Sequence, residues 1–259
     1  METVANAEAF HDQGSMDGAL VPIYHFNALA TSHLLRKGGT VIDLGSGSGR
    51  YLAYLAQCRP DIKIIGLELS DTMVRLGNRF LNDSGLAARV TIKLGDMTNF
   101  RNSVSESVDV ISSVFALHHL PASEAVKRCL FDIANVRNRS ACGIWLFDHV
   151  RPRHKRTLEE FPATFTPDAS AAFNRDSRNS LEAAFSFEEL SGFVEDAMHG
   201  MSHDCAKLLP LYQIHWSKPM EAQPEGHSQW IRPDLSASAT KEFSQFSRLF
   251  QLLPAMPLA

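Results

Sequence analysis

The chain has 259 residues, 44% hydrophobic and 21% charged, with 25 basic against 29 acidic side chains and a formal net charge of −4. That length buries a full core, in one large domain or one domain with an appendage. The composition excludes collagen-like, coiled-coil and wholly disordered chains, and the missing basic excess argues against a nucleic-acid partner.

Four cysteines, Cys58, Cys129, Cys142 and Cys205, stand far apart with no C-x-x-C pair. They fit a reducing cytosol rather than a disulfide framework. The N-terminal segment holds Glu2 and Glu8 before Phe10 and no apolar stretch, so no signal peptide is expected. No uncharged apolar run reaches the roughly 20 residues of a membrane helix. The expectation is a soluble, cytoplasmic protein without a membrane partner.

In chain order, Leu20–Arg36 has helical apolar spacing and ends at Gly38–Gly39. Residues 1–39 are read as an N-terminal helical cap that packs on a sheet or roofs its edge. From 40 to about 150, apolar runs alternate with helical patterns, the sequence form of βαβ units. The predicted strands are Thr40–Leu44, Lys63–Leu67, Arg89–Leu94, Val108–Val114 and Gly143–Asp148. The helices between them are Arg50–Cys58, Ser70–Asn82, capped by Ser70, and Ala122–Asn135. Five such strands make a doubly wound α/β sheet.

After the fifth strand the pattern loosens. Arg151–Asn179 mixes prolines, phenylalanines and charges, and 151–185 reads as a substrate-side insertion into a domain spanning 40–218. Phe187–Met198 is read as a helix and Lys207–Trp216 as a strand. Residues 219–259 are read as a linker followed by a helix, with Phe243, Phe246, Phe250 and Leu253 at steps of three and four. That helix docks on its own core, covers the active site, or joins two copies as a homodimer.

The segment that carries chemistry is Val41-Ile42-Asp43-Leu44-Gly45-Ser46-Gly47-Ser48-Gly49-Arg50. An apolar strand runs into a tight glycine turn that lets a ligand approach the backbone, and a helix follows. The dinucleotide fingerprint spaces its glycines G-x-G-x-x-G and seats a pyrophosphate on the helix N-terminus. Here the order is Gly45-x-Gly47-x-Gly49, with Asp43 two residues ahead. A carboxylate there repels a pyrophosphate and favours a ligand carrying an ammonium and a sulfonium.

The segment resembles motif I of the class I S-adenosylmethionine-dependent methyltransferases, of the small-molecule type, over roughly residues 40–150. The resemblance implies a Rossmann-like doubly wound fold, S-adenosylmethionine as cofactor, and Asp43, Gly45, Ser46, Gly47 and Gly49 around its methionyl end. Glu68, at the end of the second strand and followed by Leu69, is placed to accept both ribose hydroxyls; read alone it is a solvated strand-end acid. In the family the acid after the third strand bonds the adenine amino group and an apolar neighbour covers the ring, which points to Asp96 and Met97. The alternative for Asp96 is a plain helix cap or turn former, as Gly-Asp pairs often are. The end of the fourth strand, with Ser113, faces the transferable methyl in the family. The proline-rich sequence of nucleic-acid and glutamine amino-methyltransferases is missing there. Tyr24 comes from an N-terminal segment that in many class I enzymes folds over the cofactor; core packing is the alternative.

Methyl transfer is largely a matter of alignment, and a base is needed only when the attacking atom must lose a proton. His118, His119 and Asp148 are the catalytic candidates, although in the resembling family the histidine pair is often structural. His149, Arg151 and Arg153, at the end of the fifth strand, and Arg175 are candidates for holding substrate; an arginine there could clasp an anion, or begin a solvated helix. His199, His203 and Cys205 are close in sequence, but Gly200 breaks any helix between the histidines, so no metal is expected. The reading is in-line methyl transfer to a small molecule or a short peptide. Its rivals are an NAD-dependent oxidoreductase and a non-catalytic cofactor-binding or scaffold protein.

Overall fold

Thr40–Leu44 forms β1 near the middle of a seven-stranded sheet. The computed structural model describes residues 11, 18, 20–101, 107–165, 171–207, 211–220 and 230–250. Lys63–Glu68 (β2), Val90–Leu94 (β3), Val110–Val114 (β4) and Gly143–His149 (β5) are the other parallel strands. Ser202–Cys205 (β6) and Tyr212–Ser217 (β7) complete the order β3-β2-β1-β4-β5-β7-β6. β7 runs antiparallel to both β5 and β6, with Trp145 opposite Trp216 and Phe147 opposite Ile214. The five expected strands are present within two residues of their expected ends; the sheet is larger than expected because β6 and β7 extend it.

Helices cover both faces. On one lie Val21–His33 (α1) and Arg50–Cys58 (α2); Asp71–Asp83 (α3) flanks β3; Ser123–Ser140 (α4) and Phe187–Ala197 (α7) cover the other face. Strands sandwiched this way read as continuous apolar runs, and their side chains divide by alternation. Val41, Trp145 and Phe147 join the core under α1, while Ile42, Leu44, Ile144 and Leu146 join the core under α4. α1 is buried from Val21 to Ser32, as a helix with no solvated face must be. Its Asn27 accepts the indole N–H of Trp145 at 2.7 Å, tying it to β5. Ser70 caps α3 by accepting from the Met73 amide.

The stretch read as loose is helical: Lys155–Phe165 (α5) and Ala171–Ala183 (α6) pack on each other. The predicted strand from Lys207 begins at Tyr212. Residues 221–229 of the expected linker, and 251–259, lie outside the described residues. Ala237–Ser247 (α8) lies on α1, where the rings of Phe246 and Phe250 pack 5.3 and 5.2 Å from that of Phe26. Among the described residues no helix is long and apolar enough to cross a membrane.

Candidate active site

The strand order reverses between β1 and β4, where open sheets bind ligands beyond their carboxyl ends. A cavity of about 1290 Å³ lies there, bordered by the ends of β1, β2 and β4 and roofed by residues of α1, α6 and α8.

The glycine turn forms its floor. The amides of Gly45 and Ser46 both donate to the Leu67 carbonyl, at 2.8 and 3.0 Å, folding the turn against β2. Gly45 has φ 73°, and a Cβ there would stand 2.3 Å from the Cβ of Ala116. Only glycine fits, and the bare backbone faces the cavity. Gly49 differs from expectation: it does not line the cavity, and a Cβ on it would meet Ile92 Cδ1 at 2.7 Å. Its role is the close approach of α2 to β3.

Asp43 is 2% exposed yet borders the cavity. Its carboxylate accepts from the Ser112 hydroxyl at 2.7 Å. Burial raises the Asp43 carboxyl from 3.8 to about 7, against the lowering effect of the Ser112 and Ser46 hydroxyls. The Glu68 carboxylate accepts from the amides of Gly47 and Ser70, at 2.8 and 2.9 Å, which fixes it across the turn. Asp96 accepts from the Thr98 amide at 2.7 Å, capping a short turn at Met97–Asn99. Its carboxylate serves the turn and borders the cavity as well, together with Met97, Ser46, Tyr24 and the 72% exposed Leu69. Ser113 corrects an expectation. It is buried away from the cavity with its hydroxyl donated to the Leu44 carbonyl, and strand alternation gives the contact with Asp43 to Ser112 instead.

Past β4, Phe115 has φ 58°, the left-handed region that a bulky residue occupies only under constraint. Its amide donates to the Phe147 carbonyl and its ring stacks on His149, centroids 4.4 Å apart. The chain then turns through Leu117–His119. His118 Nδ1 lies 2.6 Å from Asp148 Oδ1; the other Asp148 oxygen accepts the His118 amide, and Oδ1 also accepts the His149 amide. Burial alone would raise the Asp148 carboxyl; the His118 charge and these bonds outweigh it and hold it below the usual carboxylate range. An anionic Asp148 favours a proton on Nδ1, so that in the neutral ring the lone pair falls on Nε2. Among the described residues that Nε2 has no hydrogen-bond partner and is closed off, while other atoms of His118 line the cavity. Asp148 does not line it and acts from behind His118. His149 and the exposed His119 complete the histidine cluster.

Residues 41–138 match the family described as a methyltransferase domain. Those residues carry a methyltransferase domain. A probable fatty acid methyltransferase of Mycobacterium tuberculosis is 26% identical over 132 residues, 51% of this chain and 29% of the relative. The chain thus spans less than a third of that protein's length. A SAM-dependent methyltransferase of Aquifex aeolicus superposes with a TM-score of 0.57 at 17% identity, covering 83% of this chain and 98% of the other. The plantazolicin methyltransferase BamL, solved with a triazolic desmethyl analogue and SAH, gives 0.60 at 14% identity over 84% and 91%.

On the acceptor side of the methyltransferase domain, Arg175 lines the cavity from α6 as expected. Arg151 and Arg153 do not. Arg151 donates to Glu189 at 2.6 Å and to the Ala184 carbonyl, and Arg153 pairs with Glu188 at 3.6 Å. Acids in the first turn of α7 attract both cations away from the crevice. Sequence reasoning gave no site role to Phe115 and Tyr212, which border the cavity together with Asp176 and Phe246. Asp176 is the neighbour of the expected Arg175, and Phe246 lies on the helix expected to dock on the core or cover the site. Among the described residues no group of three histidines, cysteines or acids could hold a metal ion, and His203 instead pairs with His215 at 2.7 Å.

Proposed function

We propose that the chain transfers the methyl group of S-adenosylmethionine to a hydroxyl of a small molecule. The observation that carries the cofactor reading is the convergence of Asp43, Glu68 and Asp96, at or just beyond the ends of β1, β2 and β3, on one cavity around a turn whose first glycine has no room for a side chain. The group fits these residues. A buried carboxyl held near 7 has its ionisation penalty relieved by an ammonium, Glu68 has lone pairs for ribose hydroxyls, and Asp96 and Met97 offer an acceptor and an apolar surface for a base. The solved BamL complex with SAH supports the same choice of ligand. When bound, the group supplies an activated methyl: the acceptor's electron pair forms the new bond to carbon, the carbon–sulfur pair stays on sulfur, and the neutral thioether departs.

The remaining work belongs to the protein. Asp148 positions His118 at the cavity wall, where its imidazole serves as the base for the hydroxyl proton as the oxygen attacks. The aromatic walls exclude water and align the acceptor, which in favourable cases lowers a barrier by up to about 7–11 kcal/mol. The protein acts in the cytoplasm.

Calorimetry tests the cofactor reading. S-adenosylhomocysteine binds and NAD does not, and Asp43→Ala and Glu68→Ala each weaken binding about tenfold or more, equivalent to about 1.4 kcal/mol. Binding of NAD alone, or unchanged affinity in both variants, overturns it.

A further inference from the structure

Two opposite charges stand side by side on the acceptor wall. Arg175 and Asp176 are consecutive on α6, both side chains are exposed, and both residues line the cavity. Consecutive positions of a helix point about 100° apart, so these two side chains do not face each other. Nor does an opposite charge stand three or four places from either, where a helix could supply a partner. Among the described residues neither forms a hydrogen bond or an ion pair. A charge enclosed by protein calls for a partner, and here both partners are left to a ligand.

The pair sits at the reacting end of the cavity. α6 packs against the turn at Leu117–His119, and Asp176 feels that turn: burial raises its carboxyl, while His118 and Arg175 lower it. Other charges on the border are placed elsewhere or already engaged. Arg128 belongs to α4, which packs on the Met97–Asn99 turn at the base end. Arg50 donates to the His11 carbonyl at 2.9 Å, and Glu242 accepts from the Ser238 hydroxyl at 2.8 Å. Around Arg175 and Asp176 the wall is aromatic, with Phe115, Phe173, Tyr212 and Phe246, and aromatic rings pack well against other rings. At about 1290 Å³ the cavity exceeds the range of about 300–1,000 Å³ usual for a single ligand, so it has room for a nucleoside cofactor and a second molecule.

We propose that the methyl acceptor is an α-amino acid with a flat side chain, its carboxylate held by Arg175 and its ammonium by Asp176. The inference rests on the methyl-transfer reading above and adds no chemical step to it. A guanidinium donates two parallel N–H bonds to a carboxylate, and an aspartate accepts from an ammonium; both contacts are of the strong, charge-assisted kind. The zwitterion matches the wall in sign and in total charge. A ligand with one of the two charges leaves the other side chain unpaired, which is the costly outcome for an enclosed polar group.

The test is calorimetry on the full chain saturated with S-adenosylhomocysteine. Its four ligands share one phenol and differ in the headgroup: L-tyrosine carries both charges, tyramine the ammonium alone, phloretate the carboxylate alone, and p-cresol neither. Tyrosine is expected to bind about tenfold or more tighter than tyramine or phloretate, because a site built to bond a group rejects the analogue lacking it. p-Cresol binds most weakly. Arg175→Gln abolishes the preference for tyrosine over tyramine and keeps that over phloretate; Asp176→Asn does the reverse. Both side chains are exposed, so each variant keeps its melting temperature and its S-adenosylhomocysteine affinity within twofold. The inference is overturned if tyrosine does not bind, if any of the three analogues binds as tightly, or if the variants weaken all four ligands alike. Failure of S-adenosylhomocysteine to bind is a separate result that removes the methyl-transfer reading; the headgroup site is then judged by the same four ligands on the protein alone.

Discussion

Asp43 and Asp148 are buried carboxyls at one crevice, and their surroundings push them in opposite directions. Asp148 has a histidine and two amides that reward its charge. Asp43 has one close hydroxyl bond and a deep site, so it holds its proton to about 7. Two carboxyls driven apart in this way take different roles: in the proposed mechanism Asp148 holds a base in place, and Asp43 waits for a cation. The Asp148→Asn enzyme is expected to bind cofactor normally while kcat falls about 100-fold or more, the usual scale of a lost general base. Calorimetry and steady-state assays separate the two effects. A ligand ammonium needs Asp43 ionised, so cofactor binding below pH 7 releases about one proton and affinity rises with pH until it levels near 7. Asp43→Asn flattens that rise in a calorimetric pH series. The places of Asp43, Glu68 and Asp96 were legible in the sequence because each lies at or just past the end of an apolar strand. Phe115 and Tyr212 were not, since a left-handed backbone and a place on an antiparallel strand are set by partners far along the chain.

The helices α2 and α3, each with a clear apolar period, were read nearly to the residue. α2 has its expected ends, and Ser70 caps α3 as expected. Removing that cap in Ser70→Ala costs about 1 kcal/mol, a fall of about 2–4 °C in melting temperature for a domain of this size. Where the sequence reading failed, the period was masked. Charged residues interrupt α6, and β6, written Ser-His-Asp-Cys, shows no alternation because it is a short edge strand paired on one side. α8 was left among three roles. Its Phe246 both packs on α1 and borders the cavity, so two of those roles are one. Truncation in Phe246→Ala is expected to raise the acceptor KM and lower stability by about 1–3 kcal/mol, while S-adenosylhomocysteine affinity stays within twofold by calorimetry.

At the scale of the molecule, the Asp43 shift becomes a stability curve. The unfolded chain ionises this carboxyl near 3.8 and the folded chain near 7. Between those values the native state holds more protons than the unfolded one, so this residue's contribution to stability falls as pH rises through the window. Thermal melts of the ligand-free protein should show the loss, and Asp43→Asn should remove it. Saturating S-adenosylhomocysteine opposes the fall; ligand at about 100 times its Kd adds about 2.7 kcal/mol. The sequence foretold the cofactor half of the molecule because a parallel sheet with crossover helices repeats one pattern. The acceptor half is assembled from α1, α5, α6, β7 and α8, which share a cavity without sharing any sequence period.

The seating of α8 on α1 also implies an order of opening. α8 is short, and within it only Ser247 is fully buried, whereas β5 is buried from Gly143 to Asp148. Regions with few buried contacts come apart by sub-global fluctuations, at a fraction of the free energy that unfolds the whole protein. Native-state hydrogen exchange should therefore find the amides of 237–247 opening well before those of 143–149. Exchange as slow as in β5 would mean that the roof and the sheet rise and fall as one cooperative unit. If the roof does open first, the acceptor's way into the chamber is a local melting event, with a rate set by the helix and not by the chemistry.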